Sequence, residues 1–421
     1  MEKILSNKVL AWLWGLFAFS VLVSQSAMDL FSTLLCLWAI LFTWQHRSAE
    51  NSKGSLFPKI GIEPLWAIWI VIVAIGFILH PMDLQYALLR LVEFKWIFIF
   101  YVLFGTCIYL KPKTTTLLTG ASLALIFLSL FSLLTYFYPY GILKDFGYDI
   151  DTTIPRLGGF FANPMTFAHS MVIPFFIIFT SLFYTHQKKQ VFLYSISSAL
   201  LFMCLMLSLT RGIWIALFLS LSLFLFIRFR KFLLLFIVLA FGLFGMLYSS
   251  NNSFKSRIDE SISELNHKSE RKLIWKAHFL VFKENPIFGL GYGQNSKKIR
   301  EYYDRLGYPE GVLQSHAHNQ YLHLLAGTGI LGAGIYILII SIFLRWSWIL
   351  FKKISPDYGS DKGLAFGAFL AQVAFYIGSL TEANFEHSKV RFMLMILWSM
   401  VVYLGFKYNI KPYKYGFKFS S

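Results

Sequence analysis

Five polar side chains in a largely apolar sequence could bind and transfer a charged group. Three are arginines, Arg156, Arg211 and Arg271, and two are histidines, His316 and His318. The planar fork of N–H donors on an arginine suits the oxygens of a phosphate better than a lysine ammonium does. An imidazole can accept the proton of an attacking hydroxyl near neutral pH. Together these residue types favour a site that holds a phosphate group and contains a general base.

Each of these residues also has a structural interpretation that requires no ligand. Arg211 lies at a tight corner between two apolar runs, where an arginine side chain can reach lipid headgroups. Arg156 precedes a Gly-Gly pair and an Asn-Pro pair, which serve a turn and a helix start by themselves. A histidine in this setting can cap a helix or lie at the membrane interface. The residue types alone leave these alternatives open.

The histidines do not form a recognisable metal site. His316, His318 and His323 do not match a common zinc spacing, and neither cysteine nor a convincing set of carboxylates accompanies them in the sequence. We therefore predict no metal ion and no other cofactor. The last outer turn, residues 381–389, is polar and could border the same site, but the sequence assigns no role to its members Glu382, Glu386 and His387.

A second polar group precedes the fourth apolar run. Arg90 and Glu93 can pair at helical spacing, which would make them a surface ion pair. Alternatively, Arg90 or Lys95 faces a central cavity, as ionisable residues at membrane depth usually do. The sequence does not decide between these roles.

The chain as a whole has the composition of a membrane protein. Hydrophobic residues make up 57% of the 421 residues, charged residues make up 14%, and the mean hydropathy is +0.60. A spanning helix needs about 20 mainly apolar residues and pairs all its backbone groups internally. The sequence therefore predicts an all-α polytopic membrane protein, one integral domain over residues 1–421, with about twelve transmembrane helices. They are predicted at Val9–Ser24, Ala27–Thr43, Pro64–Leu79, Phe94–Leu110, Thr116–Phe137, Met165–Tyr184, Val191–Leu209, Gly212–Ile227, Phe232–Ser249, Asn319–Leu344, Gly363–Leu380 and Phe392–Phe406.

The distribution of positive charge predicts the orientation. Lysine and arginine are retained on the cytoplasmic side of short loops. With the N-terminus inside, 20 of these residues lie in inner loops and tails and 7 lie in short outer loops and helix ends. Both termini are therefore predicted to be cytoplasmic, with residues 250–318 forming one large outer loop that carries part of the site. Much of the net charge of +17 follows from this topology and does not indicate nucleic-acid binding.

The outer loop is predicted to be helical. Ser256–Leu265 has an apolar stripe opposite charged residues, which is typical of a helix on a surface. A second helix carries Arg271 on the same face as aromatic side chains and ends at Asn285-Pro286. The glycines at 289, 291 and 293 predict a flexible turn, and without a preceding strand they do not indicate a nucleotide site. Further glycines from 327 to 334 interrupt the next helix and permit close helix packing.

The order of short motifs resembles the O-antigen ligase and polymerase superfamily. The resemblance extends from about Arg156 to Gly334, and the order and topology of the motifs carry it more than any single motif. The motifs are Arg156-Leu157-Gly158-Gly159 with Asn163-Pro164, then Thr210-Arg211-Gly212, then Arg271 upstream of Asn285-Pro286-Ile287-Phe288-Gly289-Leu290-Gly291, and finally His318-Asn319-Gln320-Tyr321-Leu322 before a glycine-rich helix.

This resemblance implies a membrane glycosyltransferase of GT-C-like fold in the bacterial inner membrane, with its active site facing the periplasm. It implies a metal-independent reaction on an undecaprenyl-pyrophosphate-linked glycan. By motif position, Arg211 and Arg271 are implied as pyrophosphate ligands and His318 as the catalytic base. Arg156 is a further candidate for binding pyrophosphate, and His316 is a candidate partner of His318.

Three functions are compatible with these features. The first is an O-antigen ligase that joins the glycan to lipid A-core in lipopolysaccharide biosynthesis. The second is an O-antigen or exopolysaccharide polymerase with the same donor and a lipid-linked acceptor, because the acceptor site has no recognisable motif. The third, a small-anion transporter, should show paired broken helices in two repeated halves, and the sequence has no internal repeat. The expected partners are the lipid-linked glycan, the lipid A-core acceptor and membrane lipids.

Overall fold

A computed structural model of the chain describes residues 7–46, 58–81, 85–86, 93–138, 156–161, 163–250, 252, 254–256, 258–259, 270–308 and 315–412. The regular structure in these residues is helical, and no strand occurs among them. The α-helices are α1 (Asn7–Val23), α2 (Gln25–His46), α3 (Glu63–Leu79), α4 (Lys95–Leu110), α5 (Thr114–Phe137), α6 (Pro164–Leu182), α7 (Lys188–Leu207), α8 (Arg211–Arg228), α9 (Leu233–Ser250), α10 (Glu270–Glu284), α11 (Asn295–Arg305), α12 (Gln320–Lys353), α13 (Gly359–Gly378) and α14 (Ser388–Lys407).

Helices occupy all twelve places predicted from the apolar runs. Within the ranges given above, eight helices are long and apolar enough to cross a membrane: α2, α5, α6, α7, α8, α9, α12 and α14. The apolar helices α1, α3 and α4 are shorter, at 16 or 17 residues. The all-α architecture is confirmed, whereas twelve spans and a GT-C-like fold stay predictions.

Close packing of α6 against α13 forms the centre of the bundle, and glycine makes it possible. A Cβ on Gly363 would lie 2.8 Å from Cα of Ser181, and one on Gly367 would lie 2.6 Å from Cα of Ile177. The hydroxyl of Thr180 donates across this interface to the carbonyl of Gly363 at 2.8 Å. Small residues are common where membrane helices approach closely, since lipid supplies no hydrophobic force between helices.

Helix α9 differs from the other long helices because none of its residues is buried. Its main contacts are with α8, and side chains of both helices line an apolar groove. A helix that is apolar all round and exposed is compatible with lipid as its surroundings.

Helix α12 is broken at Gly329, where φ is 63° and ψ is −169°. Side chains other than glycine rarely adopt this conformation, and a Cβ there would collide with the carbonyl of Ile287. The loop after α10 satisfies the backbone groups that the break frees. Its hydrogen bonds run from Leu290 N–H to Ala326 O (2.9 Å), from Gly291 N–H to Gly327 O (2.9 Å) and from Ile330 N–H to Pro286 O (2.8 Å). The glycine-rich turn predicted as flexible is thus fixed to a broken helix, and irregular backbone at membrane depth is tolerated where protein covers it in this way.

The second predicted loop helix is present as α10, and it ends at Glu284, directly before Asn285-Pro286. One side of α10 packs with α11 in a small separate core that includes Ile274, Val281 and Ile299. His278 on the same helix is fully buried, and Trp275 remains 39% exposed. The predicted surface helix Ser256–Leu265 lies mainly outside the described residues.

Candidate functional site

A cavity of about 850 Å³ lies at the start of α8, and its wall contains all three arginines predicted for the site. Arg156 comes from the segment before α6, Arg211 from the first residue of α8, and Arg271 from the first turn of α10. Glu382, from the turn between α13 and α14, lies on the same wall. Four separate stretches of the chain therefore meet at one end of the helices.

The corner between α7 and α8 fixes two of the arginines. Leu209 has a left-handed φ of 50°, which turns the chain so that Arg211 begins α8. Arg156 Nε donates to the carbonyl of Ser208 at 3.1 Å, and Arg156 Nη2 lies 3.4 Å from Thr210 Oγ1. The start of α8 also carries the partial positive charge of a helix N-terminus, which favours an anion in the same cavity.

Arg271 is positioned through its helix. One turn further along α10, the indole Nε1 of Trp275 donates to the carbonyl of Ala317 at 2.9 Å. This contact ties the arginine-bearing face of α10 to the segment that carries His316 and His318. The loop helix and the histidine motif are therefore held next to each other.

His316 and His318 share a single carboxylate. Oε1 of Glu382 lies 3.1 Å from Nε2 of His316, and Oε2 of Glu382 lies 2.9 Å from Nδ1 of His318. Burial raises the pKa of the Glu382 carboxyl, but the hydrogen bonds from the two imidazoles outweigh it and hold that pKa well below its ordinary value. The ionised carboxylate accepts the Nδ1–H of His318, which leaves Nε2 of that ring as the atom able to take a proton.

The residues after His318 hold it at the start of α12. His318 has a left-handed φ of 45°, an uncommon conformation for histidine that functional sites often retain. Asn319 caps α12 by accepting from Leu322 N–H at 3.0 Å, and its side-chain amide donates to Leu380 O at 3.2 Å. The side chain of Gln320 accepts from Phe385 N–H at 2.9 Å. The His-Asn-Gln motif thus connects the histidine to the turn that carries Glu382.

The expectation that no carboxylate accompanies the histidines is wrong. His316, His318 and Glu382 offer ligand atoms within 4.8 Å of one another, which is close enough to hold a metal ion. His323 is separate from this group, because its Nδ1 lies 3.1 Å from the side-chain amide of Asn295. The metal-independent reaction stays a prediction, with this triad as the place where a metal would bind.

Of the second polar group, neither Glu93 nor Lys95 is among the described residues that line the cavity. Lys95 forms an ion pair with Asp29 at 2.6 Å, and both side chains are exposed, which favours the surface interpretation. Glu93 lies 4.0 Å from Nη1 of the buried Arg391. Arg90 lies outside the described residues, so its predicted pairing with Glu93 is untested.

Two residues of the cavity wall were missed as functional candidates. Glu382 was noted in its polar turn without a role, because its histidine partners are distant in the sequence. His169 lies inside the apolar helix α6 and lines the same cavity, with 1% of its surface exposed. The signal available for His169 was an ionisable residue within an apolar run, close to the Asn-Pro pair that starts the helix.

The fold and the cavity define a multi-pass membrane protein with a basic site at one end of its helices. Residues 196–337, roughly a third of the chain, match the protein-family model described as O-Antigen ligase. The match includes Arg211, Arg271 and His318, and it ends within α12. The match confirms the predicted O-antigen ligase superfamily, whose members are membrane glycosyltransferase-like enzymes. No curated protein matches the chain.

Proposed function

We propose that this protein is an O-antigen ligase, which transfers a glycan from undecaprenyl pyrophosphate to lipid A-core. The observation that carries the proposal is one cavity in which three arginines lie above a long apolar wall. The proposed donor has two matching parts, an anionic pyrophosphate head for the arginines and an apolar isoprenoid tail for the wall. The reaction would occur on the periplasmic face of the inner membrane. The excess of positive charge in the predicted inner loops supports this side, because it places the large loop with Arg271 outside.

The apolar part of the cavity suits the isoprenoid tail. It is lined by α8 and α9, for example by Phe218 and Phe244. A second apolar cavity of about 640 Å³ shares Phe202, Leu221 and Phe236 with the first, so apolar surface continues along α8. Lipid chains are as apolar as these side chains, so the groove positions the tail while the charged end supplies most of the affinity.

The arginines suit the pyrophosphate, which must leave as the glycan is transferred. The acceptor hydroxyl attacks the anomeric carbon, the bond from that carbon to the pyrophosphate oxygen breaks, and negative charge develops on the pyrophosphate. Arg156, Arg211 and Arg271 would bind this charge, together with the start of α8. A preorganised donor aimed at developing charge typically lowers the barrier by about 3–4 kcal/mol, so three arginines would supply a substantial part of the catalysis.

The histidine pair suits the proton transfer. His318 Nε2 would take the proton of the acceptor hydroxyl, while Glu382 holds the opposite nitrogen of that ring and stabilises the positive charge that forms. His316 contacts the other oxygen of Glu382 and so helps to fix the carboxylate.

The experiment that tests the proposal is deletion of the gene in its host, followed by analysis of lipopolysaccharide and lipid-linked glycan. If the protein is a ligase, the deletion strain makes core-only lipopolysaccharide and accumulates lipid-linked polymer. A core that carries one repeat unit would instead identify a polymerase with the same donor. Unchanged lipopolysaccharide and unchanged lipid-linked glycan would refute both.

A further inference from the structure

His169 is a buried ionisable residue on the cavity wall that the proposed reaction does not yet use. It lies in the second turn of α6, whose start is fixed by Asn163, because the Asn163 side chain accepts from Met165 N–H at 2.7 Å. Ionisable side chains buried in membrane helices are rare and usually face a functional cavity or a partner. The contacts of its two ring nitrogens therefore determine what His169 can bind.

Asn384 fixes the tautomer of His169. The Asn384 side-chain oxygen accepts from Ser379 Oγ at 2.9 Å, and its nitrogen reaches the carbonyl of Phe375 at 3.4 Å. That amide nitrogen therefore faces Nδ1 of His169, at 3.1 Å. An amide nitrogen can only donate, so Nδ1 accepts and the ring proton is on Nε2. A doubly protonated ring could not make this contact.

The surrounding backbone makes room for the ring in this position. A Cβ on Gly378 would lie 2.9 Å from Cε1 of His169 and 3.1 Å from Cδ1 of Ile213, in the first turn of α8. The adjacent residue Gly212 is also tightly packed, because a Cβ there would collide with Thr381. Asn384 and Gly378 thus enclose Nδ1 and Cε1 of the imidazole, and Nε2, bonded to Cε1 on its other side, is the remaining ring nitrogen.

Nε2 of His169 has no hydrogen-bond partner in the described part of the chain. A buried N–H donor without an acceptor is costly, and such groups in native proteins usually meet a ligand or an ordered water. The same cavity wall contains Arg156 and Arg211, and α8 begins beside it. Any anion that these cations hold would bring acceptor oxygens to this end of the cavity.

We propose that His169 is a phosphate-binding residue whose Nε2–H donates a hydrogen bond to an oxygen of the pyrophosphate group. The inference rests on the proposed function, because it assumes a pyrophosphate donor in this cavity. A singly protonated imidazole adds a directed donor without adding another positive charge, so it orients the pyrophosphate that the arginines attract. Asn384 and Gly378 act through His169 and are positioning residues.

The test compares three substitutions at position 169 in the full-length purified protein, with farnesyl pyrophosphate as the binding probe. In His169→Gln the amide nitrogen reaches about as far as Nε2 of histidine. In His169→Asn it reaches only about as far as Nδ1. His169→Leu supplies neither donor. Because hydrogen bonds to charged groups are among the stronger ones, we expect the Leu and Asn variants to bind the probe about 10-fold or more weakly and the Gln variant to bind like the wild type.

A structural role predicts the opposite order. If Asn retains binding and Gln loses it, the contact with Asn384 is what matters and the proposal is wrong. Wild-type affinity in all three variants would also refute it. Thermal unfolding of each variant identifies loss of fold, and the Gln and Asn pair still decides the matter if the Leu variant does not fold.

Arg211→Ala separates this inference from the proposed function. If Arg211→Ala loses the probe while His169→Leu keeps it, the pyrophosphate site stands and His169 is not part of it. If the wild-type protein does not bind farnesyl pyrophosphate, the pyrophosphate donor itself is refuted. Farnesyl monophosphate serves as a second probe, and a loss in His169→Leu that is larger for pyrophosphate places the contact on the terminal phosphate.

Discussion

Replacing Glu382 with glutamine would remove the charge that orients both histidines of the candidate site while keeping the shape of the side chain. In the wild-type protein, His316 and His318 each contact one oxygen of this carboxylate, at 3.1 and 2.9 Å. The amide of glutamine has one oxygen and one nitrogen, so it can accept from only one of the two rings. If its nitrogen faces His318, Nδ1 of that ring must accept, the ring proton moves to Nε2, and the general base is lost.

The size of the effect follows from the contacts that change. A hydrogen bond to a charged group contributes about 1.5–3 kcal/mol, which is about 10- to 150-fold if the whole contribution appears in the transition state. The complete loss of a general base sets an upper limit of about 10⁴-fold. The carboxyl pKa of Glu382 is held well below its ordinary value, so its full stabilisation is present at neutral pH and would be lost only in strong acid. We therefore expect a fall of 10-fold or more at neutral pH, within this upper limit.

Single-turnover transfer with saturating donor, measured beside donor affinity, separates the two possible roles. Glu382 lies on the wall that holds the arginines, so removing its negative charge should leave the affinity for an anionic donor unchanged or make it tighter. Glu386→Gln is the matched control, since Glu386 lies in the same turn and is not among the residues that line the cavity. A Glu382→Gln variant with wild-type turnover would show that the Glu382 carboxylate does not orient the histidines for catalysis. Equal losses of rate and donor affinity would make Glu382 a binding or structural residue instead.

Three further predictions concern the same site. Arg211→Lys and Arg271→Lys should each lose most activity in protein that inserts and folds normally, because an ammonium lacks the planar fork of donors; wild-type turnover in both would reduce the arginines to lipid anchors. His318→Ala should lower single-turnover transfer by about 10²–10⁴-fold without loss of donor affinity, and His316→Ala should lose less, whereas an unchanged rate and pH profile for His318→Ala would contradict the general base. Transfer by the purified protein should survive excess EDTA, and a loss that a divalent ion restores would show that the triad with Glu382 holds a metal.

The sequence predicted the helices well because the signal for a membrane helix is local. Each apolar run is long enough to be recognised by itself, and a helix occupies each predicted place. The meeting of Arg156, Arg211 and Arg271 on one cavity wall was predictable for a related reason. With alternating helix directions, all three residues fall at the same end of the bundle, and their clustering follows from the topology.

The partners of the histidines could not be predicted, because they depend on tertiary contacts. Glu382 is 64 residues from His318, and in the sequence it resembles any acidic residue of a solvated turn. His169 pairs with Asn384, 215 residues away, and α6 is apolar around it. The glycines from 327 to 334 predicted an interruption of α12, but the sequence did not show that the break lies at Gly329. It becomes evident only where the loop after α10 supplies hydrogen bonds to the broken helix.

The docking of that loop into α12 constrains the order in which the site can be completed during synthesis. The segment from Pro286 to Gly291 is synthesised before the part of α12 with which it forms hydrogen bonds. These hydrogen bonds can form only after Ala326 to Ile330 has been inserted. Until then α10 can pack with α11 but is not held against α12, so Arg271 has no defined position relative to Arg211. A nascent chain would thus hold an incomplete anion site through most of its insertion. Capture of a lipid-linked donor would become possible only after α12 has entered the membrane.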